Sequence, residues 1–148
     1  MSAPPRLFDR SLHRARLDRA ALDFAAADFL KARAAGDMVE RIEIILRDFP
    51  VCVDLGSRNG IFSQILQSSD AQPRVGTVIE TDLSGMMLAG RESLRLQVDE
   101  EALPFGVASL DLVVSSLALH WVNDLPGTLI QIRRALRPDG LFMAAIFG

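Results

Sequence analysis

Two periodicities divide the chain. Through residue 49 apolar side chains recur at three- and four-residue intervals, and from Val51 onward they come in short continuous runs separated by glycine and polar residues. The first pattern is that of helices, the second that of strands buried on both faces. Residues 7–35 are alanine-rich and carry no internal Gly or Pro, which predicts one long helix. A second helix is predicted over residues 38–48. Asp37 caps it with Glu40 three residues on, and Met38, Ile42, Ile45, Leu46 and Phe49 share one face. Pro50 stops it.

In the second part, strands are predicted at 51–55, 75–80, 94–98, 110–115 and 141–147, with helices at 61–68, 84–90 and 124–136. Arg137-Pro138-Asp139-Gly140 reads as a turn into the last strand. Strands alternating with helices imply an α/β fold: a Rossmann-like parallel sheet covered on both faces, with right-handed crossovers. Ligands of such sheets sit at the carboxyl ends of the strands, where strand order reverses.

Composition narrows the field. The 148 residues are 49% hydrophobic, enough for one packed domain. A net charge of −3 gives no general reason to expect nucleic acid or an anionic membrane. The longest apolar run, 110–122, is broken by Asp111 and His120, so no membrane span is expected. The arginine-rich start resembles a transit peptide, but Asp9, Asp18, Asp23 and Asp28 are interspersed, and a cytoplasmic protein is expected. Arg6, Arg10 and Arg14 share a helical face, read with Arg16 and Arg19 as solvated, since no aromatic residues interleave to stack on bases. His13 is read as a solvated helix residue and Cys52 as an inert core thiol in a reducing compartment. His13, His120 and Cys52 are too widely spaced for a zinc-ligand pattern.

Three local signals carry chemistry. The segment Asp54-Leu55-Gly56-Ser57-Arg58-Asn59-Gly60 lies between a predicted strand and helix, where glycines let the backbone turn tightly against a ligand. About 20 residues on, Asp82 stands where nucleotide-binding sheets place an acid for ribose hydroxyls, with Glu80 as the competing candidate. After the third strand, Asp99 is positioned to accept from an exocyclic amine, with Leu103 or Phe105 against a base. Each has a plainer reading, as a strand–helix turn, a helix cap and an acidic surface loop.

Together these residues resemble the class I S-adenosylmethionine (SAM)-dependent methyltransferases. Asp54-Leu55-Gly56 is similar to the family's first motif, Asp82-Leu83-Ser84 to its ribose-binding acid, and Asp99 with Leu103-Pro104-Phe105 to its adenine loop. Leu110-Asp111-Leu112-Val113-Val114 and Arg137-Pro138-Asp139-Gly140-Leu141 are similar to strand four and the turn into strand five. The string from Val114 to Pro126, with Leu7-Phe8-Asp9-Arg10 and Ile146-Phe147-Gly148, resembles the complex I assembly factor 5 group, near the malonyl-carrier-protein methyltransferases of biotin synthesis. The resemblance implies SAM as cofactor, held by Asp54, Gly56, Ser57, Arg58, Gly60, Asp82, Leu83, Asp99, Glu100, Leu103 and Ser115. It implies His120 as the catalytic base, with Ser116 and Trp121 facing an unidentified acceptor. Residues 1–49 are expected to lie lid-like over a core formed by residues 50–148.

Two departures bear on function. Arg58 stands where the family has a second glycine. It is expected either to pair with the cofactor's methionyl carboxylate or to point into solvent. The family's sheet has seven strands and this chain stops after the fifth, which leaves an edge for self-association. Methyl transfer is the first functional expectation. Arginine hydroxylation or complex I assembly on the same fold is the second, and a non-catalytic SAM-binding module or inactive fragment the third.

Overall fold

A computed structural model describes residues 2, 3 and 5–148. Two helices come first, α1 (Arg10–Ala20) and α2 (Phe29–Ile44). The alternating part follows: β1 (Phe49–Leu55), α3 (Ile61–Gln67), β2 (Val75–Asp82), α4 (Gly85–Leu88), β3 (Arg95–Gln97), β4 (Leu110–Ser116), α5 (Leu125–Ala135) and β5 (Leu136–Ala145). The strands form one sheet in the order β3-β2-β1-β4-β5, with every pairing parallel. β1 is central: Cys52 pairs with Val78 on one side and Leu112 on the other. Strand order reverses between β1 and β4, which opens a crevice at their carboxyl ends.

Side chains alternate across the sheet and separate two cores. Cys52, Leu112 and Val114 pack with Ala35, Val39, Ile42, Phe62 and Leu66 from α2 and α3. Val53, Leu55 and Val113 face the other way, onto Leu119, Ile132 and Ala135. Leu110 joins this second group against the parity of β4, because the register with β5 shifts between Leu110 and Leu112.

The helical part differs from its expected form. The long helix over 7–35 ends at Ala20, and a short 3-10 turn, Phe24–Ala26, precedes α2. The second helix does not begin at Asp37, which lies inside α2. The buried stripe Lys31, Ala35, Met38, Val39 and Ile42 runs unbroken at helical spacing across the expected boundary. Continuous packing of that stripe outweighs a local cap. The true side-chain caps are Asp9, which accepts from Leu12 N (3.0 Å), Ser84, which accepts from Met87 N (3.2 Å), and Asp124, which accepts from Gly127 N (2.9 Å). Pro50 sits inside β1 rather than ending a helix, so the strand starts at Phe49, two residues before its predicted start. The turn at 137–140 lies within β5 as an excursion, with Asp139 at φ +67°.

Candidate functional site

The site is built at the carboxyl ends of β1, β2 and β4. Gly56 follows β1 at φ +69°, and a Cβ there would lie 2.4 Å from the Cβ of Ala118, which follows β4. Only glycine permits both that backbone and that approach. Arg58 holds a left-handed backbone without being glycine, at φ +49°. Its compensation is Asp82: Arg58 N and Nη1 both donate to Asp82 Oδ2, at 2.9 and 2.8 Å, while Ser84 N donates to Oδ1 at 2.9 Å. Both residues are buried. Arg58 therefore does not point into solvent. Its charge is spent on the acid expected to hold ribose.

A second cation enters from α2. Lys31 Nζ donates to Gly56 O (2.8 Å), Ser116 O (2.5 Å) and Ser116 Oγ (2.8 Å). Burial lowers its pKa to about 8; Asp54 opposes the shift, Arg58 adds to it, and Asp82 and Glu100 also oppose it. Asp54 is fully buried at the end of β1, and among the described residues neither of its carboxylate oxygens has a hydrogen-bond partner. Burial drives its pKa up to about 7, with Glu80 and Asp82 reinforcing the rise and Lys31 and Arg91 resisting it.

A third cation closes the opposite side. Arg10, at the start of α1, reaches three consecutive acids of the loop after β3: Asp99 Oδ1 at 2.9 Å, Glu100 Oε2 at 2.5 Å and Glu101 Oε2 at 3.2 Å. Burial pushes the Glu100 carboxyl up, and Arg10 and Arg58 pull it back. Further along α1, Asp18 Oδ1 accepts from Ser84 Oγ at 2.5 Å. Ahead of it, Phe8 N donates to Asn123 Oδ1 and Asn123 Nδ2 returns a bond to Phe8 O. The leading helix is thus tied to the loops after β2, β3 and β4, and Arg10 is not the solvated residue expected.

Beneath α1 lies a cavity of about 640 Å³, lined mainly by apolar side chains with Lys31, Arg58, His13, His120 and Trp121 among them. His13 is half-buried there, its ring stacked on Trp121 at 4.9 Å between centroids. Burial first, then Arg58 and Arg10, bring its pKa down to about 4. His120 packs against Trp121 and Phe147, its Nδ1 has no partner, and burial, Arg58 and Lys31 lower its pKa.

Comparison with known proteins decides the lineage. A family described as "Methyltransferase domain" matches residues 53–144. The chain belongs to the methyltransferase-domain family. Mouse (Mus musculus) mitochondrial arginine-hydroxylase NDUFAF5 is 40% identical over 157 aligned residues, covering 99% of this chain and 45% of that protein. Malonyl-[acyl-carrier protein] O-methyltransferase 1 of Coxiella burnetii is 36% identical over 115 residues, covering 77% of this chain and 39% of that protein. Among solved structures, a Haloferax volcanii methyltransferase in complex with the Trm112 activator superposes with a TM-score of 0.71 at 25% identity, covering 88% of this chain and 59% of that one. The chain spans less than half the length of these curated relatives.

Within this methyltransferase domain the expected site residues fall into two groups. Asp54, Gly56, Arg58, Asp82, Ser116, His120 and Trp121 meet around the crevice and cavity, with Asp99 and Glu100 at its rim under Arg10. The others make contacts within the scaffold. Ser115 Oγ donates to Leu55 O (2.9 Å) between strands. Leu83 packs on Leu17 and Met87, and Leu103 against the second core. Ser57 N donates to Thr81 O, and Gly60 starts α3 beside the Arg91–Glu80 pair. Glu80 is held by Arg91 Nη2 (2.8 Å) and Ser93 Oγ (2.9 Å), so Asp82 is the acid that faces the crevice. Lys31, His13 and Arg10 are the residues that sequence reasoning missed. For Lys31 a signal existed: it is the only lysine beside fifteen arginines.

Proposed function

We propose that this chain is the cofactor-binding domain of a SAM-dependent methyltransferase acting on an acceptor not yet identified. The observation that carries the reading is Asp54, a buried carboxylate without a hydrogen-bond partner, beside the left-handed Gly56 and across from Asp82 at the sheet's switch point. An orphaned buried carboxylate is costly unless a cationic group completes it. An ammonium on the amino-acid end of SAM has that chemistry. The close approach at Gly56 suits a ligand laid against the backbone. Asp82 would take the ribose hydroxyls, and Asp99 with Glu100 the adenine. The cofactor supplies an electrophilic methyl group on a sulfonium. The protein's part is to align the acceptor and to take a proton where one is lost. His120 suits the second task, because burial and the neighbouring cations favour its neutral form.

Calorimetry with SAM and S-adenosylhomocysteine tests this, with Asp82→Ala as control. Micromolar binding that the variant loses supports it; it is overturned if neither the well-folded parent nor its Lys31→Met variant binds either compound.

Similarity to NDUFAF5 along 99% of the chain favours a second reading, hydroxylation of an arginine in a partner protein. Mass spectrometry of a modified partner separates the two: methyl transfer adds one carbon and two hydrogens, hydroxylation one oxygen. A cytoplasmic or other reducing location, consistent with the free thiol of Cys52, and self-association through the β5 edge, where Ile146 and Phe147 are exposed, complete the proposal. Sedimentation as a monomer at high concentration would count against the latter.

A further inference from the structure

The chain's single lysine is one of its most deeply buried charges. Every other basic side chain is an arginine. Lys31 reaches from α2 into the crevice between β1 and β4, where its three donors find three acceptors: Gly56 O, Ser116 O and Ser116 Oγ, at 2.5–2.8 Å. The fork of a guanidinium is planar, whereas converging carbonyls suit a compact point charge. The charged groups facing it are Asp54 from β1, Arg58 from the loop beyond, Asp82 from β2, Glu100 after β3 and His120 after β4.

SAM presents one ammonium at its amino-acid end. At that end of the crevice the acceptors are the Gly56 and Ser116 carbonyls and the unpartnered Asp54. Two ammonium groups cannot share this set without strong repulsion. Resting on the cofactor reading above, we propose that Lys31 is an internal stand-in for the cofactor's ammonium, seated on the Gly56 and Ser116 carbonyls and displaced when the cofactor binds. Arg58 on Asp82 does the same at the ribose end. Lys31 and Arg58 thereby satisfy the Gly56 and Ser116 oxygens and Asp82, leaving Asp54 for the incoming group, and Lys31 sets how tightly the cofactor is held.

Two measurements test this on the whole chain. By calorimetry, Lys31→Met binds S-adenosylhomocysteine at least about tenfold more tightly than the parent; equal or weaker binding overturns the proposal. Lys31 is also the sole ε-amine, so reductive methylation with formaldehyde and cyanoborohydride reads its state in the unaltered protein, with the α-amine as internal reference. Lys31 is labelled slowly without ligand and several-fold faster when S-adenosylhomocysteine saturates the site. Labelling that is unchanged or slower with ligand means the lysine is not displaced, and the proposal fails even if the variant does not fold. If neither protein binds S-adenosylhomocysteine, the cofactor reading itself falls and this inference with it. If only Lys31→Met binds, both stand.

Discussion

Arg58 and Asp82 form a buried pair, Nη1 to Oδ2 at 2.8 Å, in which the same carboxylate oxygen also accepts from the Arg58 backbone N–H. One residue therefore supplies both the side chain that satisfies Asp82 and the left-handed backbone that brings it there.

Arg58→Gly sets two effects against each other. Glycine relieves the positive φ, worth about 1–2 kcal/mol. Removing one partner of a buried ion pair costs roughly 3–5 kcal/mol. The pair outweighs the strain, and Asp82 keeps two backbone donors, so a net loss of about 1–3 kcal/mol is expected in urea unfolding. Freed of the guanidinium, Asp82 binds S-adenosylhomocysteine more tightly in calorimetry. A stabilised variant would mean that the pair contributes less than the backbone strain.

Arg10→Ala tests whether α1 is held as a lid. Arg10 meets three acids and is itself largely buried, so its loss leaves Glu100 under-satisfied. Hydrogen exchange should speed up across Arg10–Ala20 and the loop at 99–101, with little change in β1 and β4. Raising salt in the parent should reproduce only a fraction of this, because the pairs are partly shielded from solvent. Equal exchange in both proteins would show that the Phe8–Asn123 and Asp18–Ser84 contacts hold the helix by themselves.

The sheet was legible because its strands are near-continuous apolar runs, a pattern that survives errors of one or two residues at each end. Asp54, Gly56 and Asp82 were legible for a related reason: a strand end followed by glycine or an acid has few uses. Helix boundaries were not, since the buried stripe from Lys31 to Ile42 outweighs the local capping signal at Asp37. The contacts of Ser115 and Leu103 were not legible, because alternation decides which way a strand-end or loop side chain points, and one residue of uncertainty reverses it. The partners of Arg58, Lys31 and Arg10 lie 24 to 111 positions away in the chain. No spacing rule reaches that far, so the electrostatics of the site emerged only with the fold.

Asp54 gives stability a pH dependence whose sign follows from its raised pKa. Between the unfolded value of 3.8 and the folded value of about 7, the native state holds a proton that the unfolded chain has released. Stability from this group is therefore full at low pH and is lost as pH rises towards 7, by up to about 1.4 kcal/mol per unit. His13 acts oppositely, because its folded pKa is depressed and the unfolded chain takes up the proton first as pH falls. The two partly cancel in the parent. In Asp54→Asn the downward contribution disappears, so a slope that is nearly flat in the parent becomes a rise of stability with pH between about 4 and 6.5 as His13 dominates. Urea midpoints across that range check it; an unchanged slope would place the proton elsewhere.

His13 has its own reporter. It stacks on Trp121, the only tryptophan, at 4.9 Å and 24° between planes. A protonated imidazole in that position quenches indole emission, so fluorescence should fall as pH drops through about 4. The transition sits low because burial comes first, then Arg58 and Arg10, in disfavouring a third cation beside them. His13→Ala should abolish it without unfolding the sheet, since the ring lines the cavity beneath α1 rather than packing in either core. In Arg58→Gly the transition should persist and move upward, as the strongest of the repelling charges is gone. A transition unmoved by that substitution would mean that burial alone sets the histidine's protonation, and that the site's three cations act on their acids without acting on one another.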